Sequence, residues 1–103
     1  MPKVAIIATL TAQPGRRDDL IEVIASMFDA VGQEDGTEVY ALHTVDDEPD
    51  KVVFYELYAD GDALKAHSRS DAMKAAGPAF AGVLAGAPEI VRISPERAKG
   101  LTF

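Results

Sequence analysis

Apolar residues along this chain follow two periods, and the switches between them lay out the elements. Residues 3–12 (KVAIIATLTA) are β-rich, with Val4, Ile6, Ala8 and Leu10 on one side and Ala5 and Ile7 on the other. A strand apolar on both sides is covered on both sides. After the punctuation Gln13-Pro14-Gly15, Leu20, Val23, Ile24, Met27 and Val31 recur at three- and four-residue steps, which predicts an amphipathic helix over residues 16–31. Asp18 and Asp19 suit its positive amino end, and Gly32 suits a left-handed position just past its carboxyl end.

Residues 37–44 (TEVYALHT) and 51–59 (KVVFYELYA) read as two further strands. The short polar link Asp46-Asp47-Glu48-Pro49-Asp50 makes them antiparallel. A short helix follows over residues 60–67, capped by Asp60 or Asp62. A second runs over about residues 70–85, with a kink expected at Gly77-Pro78. Pro88 opens a last strand at residues 89–94, and residues 95–103 carry no clear pattern.

The order β-α-β-β-α-β predicts one α+β domain over residues 1–103, with a core at 3–94 and a carboxyl-terminal tail at 95–103. The simplest solution is a ferredoxin-like sandwich with right-handed crossovers and all helices on one sheet face. Strands one and two then run the same way, as do strands three and four. The uncovered face carries either Ile7, Val53, Tyr55 and Leu57 or the opposite set with Phe54 and Tyr58. Either is too large an apolar patch to leave in water. A second copy packed sheet to sheet is the simplest cover, so a homodimer is expected.

Composition removes whole classes of function. The 103 residues carry a net charge of −7, which argues against nucleic acid and anionic membranes as partners. Cys is absent, so disulfides, thiolate zinc sites and a Cys nucleophile are excluded. The chain opens without a signal-peptide core and has no apolar run long enough to span a bilayer, so a cytoplasmic location is expected.

Candidate chemistry is sparse. Of the two histidines, His43 on the second strand reads as a surface or interface residue. His67 lies near a helix carboxyl end, where the dipole favours imidazolium, and just beyond a strand bearing Glu56 and Tyr58. It is either a polar clamp between helix and sheet or a catalytic or ligand-binding group. No HxH, HxxxH or HExxH spacing occurs, so no metal site is expected. Glu56 interrupts an apolar strand, and must reach water at an edge or be paired, for instance with His67 or an Arg. Tyr40, Tyr55, Tyr58, Phe28, Phe54 and Phe80 are core residues or the walls of an aromatic pocket. The acidic cluster Asp46, Asp47, Glu48 and Asp50 lacks EF-hand spacing and reads as a solvated hairpin tip. There is no P-loop, GxGxxG or G-x-S-x-G, so no nucleotide or flavin cofactor is expected.

Several short motifs together resemble a known family. The first strand ends in Gln-Pro-Gly and runs into an amphipathic helix; Glu34-Asp35-Gly36 precedes the second strand; Phe54-Tyr55-Glu56-Leu57-Tyr58 is followed by Ala63-Leu64-Lys65-Ala66-His67 and Ser70. This layout is similar to the antibiotic biosynthesis monooxygenase family of dimeric α+β barrels, over residues 3 to about 94. The resemblance implies a pocket between sheet and helices in each subunit and dimerisation through the other sheet face. Oxygenating members place an Asn, a Trp and a His in that pocket, at positions that fall here on Ala8, Tyr58 and His67. The implied activity is a cofactor-independent monooxygenation of a small electron-rich phenol or quinol. His67 would serve as base, Tyr58 as hydrogen-bonding partner and Glu56 as orienter of His67, within a pocket walled by Ala8, Leu10, Phe54 and Phe80. Two other functions suit the same scaffold: a non-oxidative isomerase or lyase of a small metabolite, and a non-catalytic binder of an aromatic molecule or haem.

Overall fold

A computed structural model describes residues 2–103; Met1, the first residue of the segment searched for a signal peptide, lies outside them. The elements run β1 (Val4–Thr11), α1 (Arg17–Ala25), α2 (Phe28–Val31), β2 (Thr37–Thr44), β3 (Lys51–Tyr58), α3 (Gly61–Ser68), α4 (Asp71–Val83) and β4 (Glu89–Ile93). The four strands form one sheet in the order β2-β3-β1-β4, with every neighbouring pair antiparallel. Strands β1 and β2 therefore run the same way without touching, as do β3 and β4. This is the expected α+β ferredoxin-like topology.

Local chemistry explains most boundaries. Asp60, in extended conformation, caps α3 by accepting from the Ala63 amide at 2.8 Å, and Ser70 caps α4 by accepting from the Met73 amide. The first helix breaks in two, against the single run expected. Ser26 donates its hydroxyl to the Val23 carbonyl at 2.6 Å and the Met27 amide bonds back only three residues to Ile24, so the turn tightens there and Met27 swings into the core. Gly32 is right-handed at φ −61°, contrary to expectation. The helix unwinds instead through three-residue turns, Gln33 to Ala30 and Glu34 to Val31, which need no left-handed residue. Helix α4 runs through Pro78 as one element.

The core lies between the sheet and the helices. Ile6, Ala8 and Leu10 of β1 and Val52, Phe54 and Tyr58 of β3 meet Leu20 and Ile24 of α1 and Val83 of α4. The opposite face carries the set with Ile7: Leu57 is buried within the single chain, while Ile7, Val53 and Tyr55 are half-buried. The acidic hairpin is tied down rather than free, since Asp50 accepts from the Gly15 amide at 2.9 Å, in a turn where Gly15 has φ +78°.

Strand β2 carries one irregularity, and it decides which way Tyr40 points. Thr37 pairs with Tyr58 but Val39 with Leu57, which leaves Glu38 as an extra residue in a bulge. A one-residue change of register flips every later side chain. The bulge thus lets Thr37 and Tyr40 both lie on the helix-covered face, the latter opposite Glu56.

Candidate active site

Between that face of the sheet and helices α3 and α4 lies a cleft of about 590 Å³. Its floor is Ile6, Ala8 and Leu10 with Tyr40, Phe54 and Glu56; Leu64, His67, Met73 and Phe80 close it from the helices. Short or branched side chains on β1 leave the space, and the aromatics bound it. A more open hollow of about 670 Å³ between α1 and α4 is lined by alanines and the salt-bridged Arg16 and Asp19, and contains neither an aromatic nor a histidine.

Polar groups gather at one part of the cleft. His67, in the last turn of α3, is 5% exposed. Its Nδ1 lies 2.8 Å from Glu34 Oε1, the same oxygen that accepts the Thr37 hydroxyl at 2.8 Å. Among the described residues Nε2 has no protein partner, and it is not sealed from accessible space. The imidazole sits 5.4 Å from the rings of both Tyr40 and Tyr58. Tyr40 in turn stacks on Phe54 at 4.6 Å and meets Phe28 at 5.1 Å, so it is the hub of an aromatic row.

Glu56 and Tyr58 form a second polar pair. The Tyr58 hydroxyl donates to Glu56 Oε1, and Tyr58 itself is fully buried. Glu56 therefore faces the cleft and Tyr58 stands behind it. Burial pushes the Glu56 carboxyl above the usual glutamate range, opposed by the Tyr58 hydrogen bond and the nearby His67. Burial also raises both tyrosine hydroxyls, helped at Tyr58 by the bond to Glu56 and at Tyr40 by the charges of Glu56 and Glu34. Both phenols stay protonated and can act only as neutral donors or acceptors. No group of three or more metal-ligating side chains occurs among the described residues.

Residues 3–79 match the family model for antibiotic biosynthesis monooxygenases. The chain belongs to the antibiotic biosynthesis monooxygenase family. Solved structures agree with the assignment. A candidate antibiotic biosynthesis monooxygenase from Caulobacter crescentus is 34% identical, with TM-score 0.87 over 93% of this chain and 92% of that one. A second candidate monooxygenase, from Nitrosomonas europaea, shares the fold at TM-score 0.87 and 16% identity, covering 95% of this chain and 94% of that one. A protein of unknown function from the same organism does so at TM-score 0.85 and 24% identity, over 100% and 98% of the two chains. None of the curated proteins compared matches significantly.

In this family member, the cleft brings together Ala8, Leu10, Phe54, Phe80, Glu56 and His67, all named from sequence. Tyr58 adjoins it but spends its hydroxyl on Glu56. The partner of His67 is Glu34 rather than Glu56. The physical reason is that Tyr58 stands two residues from Glu56 on the same strand face and takes up its carboxylate, while the turn before β2 lifts Glu34 to the ring. Sequence reasoning passed over Glu34 as a site residue and placed Tyr40 only among the aromatics. The Glu-Asp-Gly motif was the one signal that pointed to Glu34. His43 is exposed on β2, its Nδ1 3.3 Å from the Val53 carbonyl. No described helix is long and apolar enough to cross a membrane.

Proposed function

We propose that this family member is a monooxygenase that oxidises a small electron-rich phenol or quinol with dioxygen, drawing the electrons from the substrate and needing no redox cofactor. The observation that supports this most is His67: one ring nitrogen is held by Glu34 while the other is free at the wall of an apolar, aromatic-lined cleft. That arrangement suits a general base in a largely dry site. Nε2 would take the phenolic proton, and the resulting phenolate is electron-rich enough to reduce dioxygen. Oxygen then joins a ring carbon as a hydroperoxide. Loss of water from it leaves a new carbonyl, so that phenol and dioxygen become quinone and water. Glu56, its carboxyl fixed by the Tyr58 hydroxyl, lines the same cleft and would accept a hydrogen bond from a second hydroxyl of the substrate. Phe54 and Leu10 would exclude water. The working unit in this reading is a homodimer joined through the Ile7, Val53 and Tyr55 face.

Oxygen uptake against a panel of substituted hydroquinones and polycyclic phenols tests the reading. Uptake with one quinone formed per dioxygen is expected, and His67→Ala should lower it on the order of a hundredfold with the fold retained. A well-folded protein that consumes no oxygen with any member, or a His67→Ala variant with undiminished turnover, would overturn it.

A further inference from the structure

We infer that Glu34 is a positioning residue: it holds His67 in the Nδ1–H tautomer, so that the lone pair of the neutral ring is on Nε2, the nitrogen left without a protein partner. The inference rests on the proposed role of His67 for its functional meaning, but its physical content stands on geometry alone.

Glu34 Oε1 receives the Thr37 hydroxyl and lies 2.8 Å from His67 Nδ1. A carboxylate oxygen only accepts, so the nitrogen facing it must carry the proton. Neutral imidazole has one N–H, and with that proton on Nδ1 the other nitrogen is left as an acceptor. The opposite tautomer would set two lone pairs against each other on a ring that is 5% exposed, where water has little access to repair the loss. Glu56, whose Oε1 takes the Tyr58 hydroxyl, makes no hydrogen bond to the ring.

The backbone holds the carboxylate still. The Glu34 amide donates to the Val31 carbonyl at 3.0 Å, and its own carbonyl accepts from Thr37 at 3.1 Å. Gly36 then passes so close to α3 that an added Cβ would be 2.5 Å from Ala63. Its carbonyl accepts from the Ala59 amide at 2.9 Å, which ties the turn to the end of β3. The turn, β3 and α3 are thus clamped together at the place where Glu34 meets His67. The titratable groups facing the ring are Glu34 from the turn, Tyr40 from β2, and Glu56 and Tyr58 from β3.

Nitrogen-15 NMR of the imidazole rings in the full-length protein tests this without any substrate. Only one other histidine is present, so a His43→Gln variant assigns the spectrum. At a pH where the ring is neutral, Nδ1 of His67 is expected at the protonated-nitrogen shift and Nε2 at the bare-nitrogen shift. Glu34→Leu should move the population towards Nε2–H, while Thr37→Val should leave Nδ1–H dominant. An Nε2–H ring in the wild type overturns the inference, and that measurement needs no variant that might misfold. So does a Glu34→Leu ring spectrum identical to wild type when the backbone amide spectrum shows the fold retained. An Nδ1–H tautomer in a protein that consumes no oxygen would sink the monooxygenase reading and leave this one standing.

Discussion

Gly36 and Ala63 touch so closely that the loop and the helix they belong to cannot be separated by even one methyl group: a Cβ on Gly36 would lie 2.5 Å from that of Ala63. Real Cβ atoms do not approach so near, so any side chain at position 36 must push the turn away from α3. Glu34 and His67 sit on the two sides of that contact.

Gly36→Ala is therefore expected to destabilise the protein by about 1–3 kcal/mol, the usual range for overpacking. Gly82→Ala is the control, because an added Cβ there meets nothing within 4 Å. It should gain roughly 0.4–1 kcal/mol by restricting the unfolded chain. Chemical denaturation of the two variants beside wild type checks both signs, and equal stability of Gly36→Ala and wild type would refute the contact.

Glu56 ties stability to pH. Its carboxyl is raised above the usual range by burial, so the native state binds a proton more tightly than the unfolded chain. Its contribution is fully present below the unfolded value and is lost as pH rises through the raised native value. Glu56→Gln removes this dependence. The melting temperature of Glu56→Gln relative to wild type should climb as pH rises from the ordinary glutamate range through the raised native value; a flat difference there would count against the shift.

Tyr58→Phe removes the donor that Glu56 uses. Loss of this buried hydrogen bond should cost about 1–3 kcal/mol. Because the bond lowers the Glu56 value, its removal should push the carboxyl still higher, seen by following the protonated carboxyl band in infrared titration. No change in either measurement would mean that Glu56 has another donor.

Ala8 is the short side chain of the β1 floor, opposite Phe54 in the sheet. Ala8→Leu should fill part of the cleft and weaken binding of a planar aromatic probe tenfold or more, about 1.4 kcal/mol, while unfolding stays cooperative. Unchanged affinity, read by fluorescence titration with a hydroxynaphthalene, would place the ligand elsewhere.

The uncovered sheet face should be an interface. Ile7 is half-buried there, opposite Tyr55 and Val91. Sedimentation of wild type at micromolar concentration is expected to show a dimer, and Ile7→Asp should dissociate or unfold it. A sole 11.0 kDa species in the wild type would rule the interface out.

The sequence alone determined what depends on near neighbours. The β-α-β-β-α-β order, a cap at Asp60 or Asp62, of which the structure uses Asp60, and the apolar stripe Leu20, Ile24, Met27, Val31 all follow from periodicity and from hydrogen bonds a few residues long. The set Ala8, Leu10, Phe54, Glu56 and His67 came from the resemblance to the family, because alternation along a strand places i and i+2 together but does not say which side a helix covers. Which sheet face the helices cover was not legible, since β1 and β3 are apolar on both sides and their periodicity is satisfied either way. The break at Ser26 and the right-handed Gly32 were also missed, because tight three-residue turns compete with a long helix by small margins that only packing settles. The Glu38 bulge has no signature of its own, yet it decides where Tyr40 points. Above all, Glu34 and His67 are 33 positions apart, and nothing in local propensity relates them. Only the tertiary structure brings the turn before β2 against α3, because Gly36 allows the backbone to approach Ala63, and that approach hands the histidine its carboxylate.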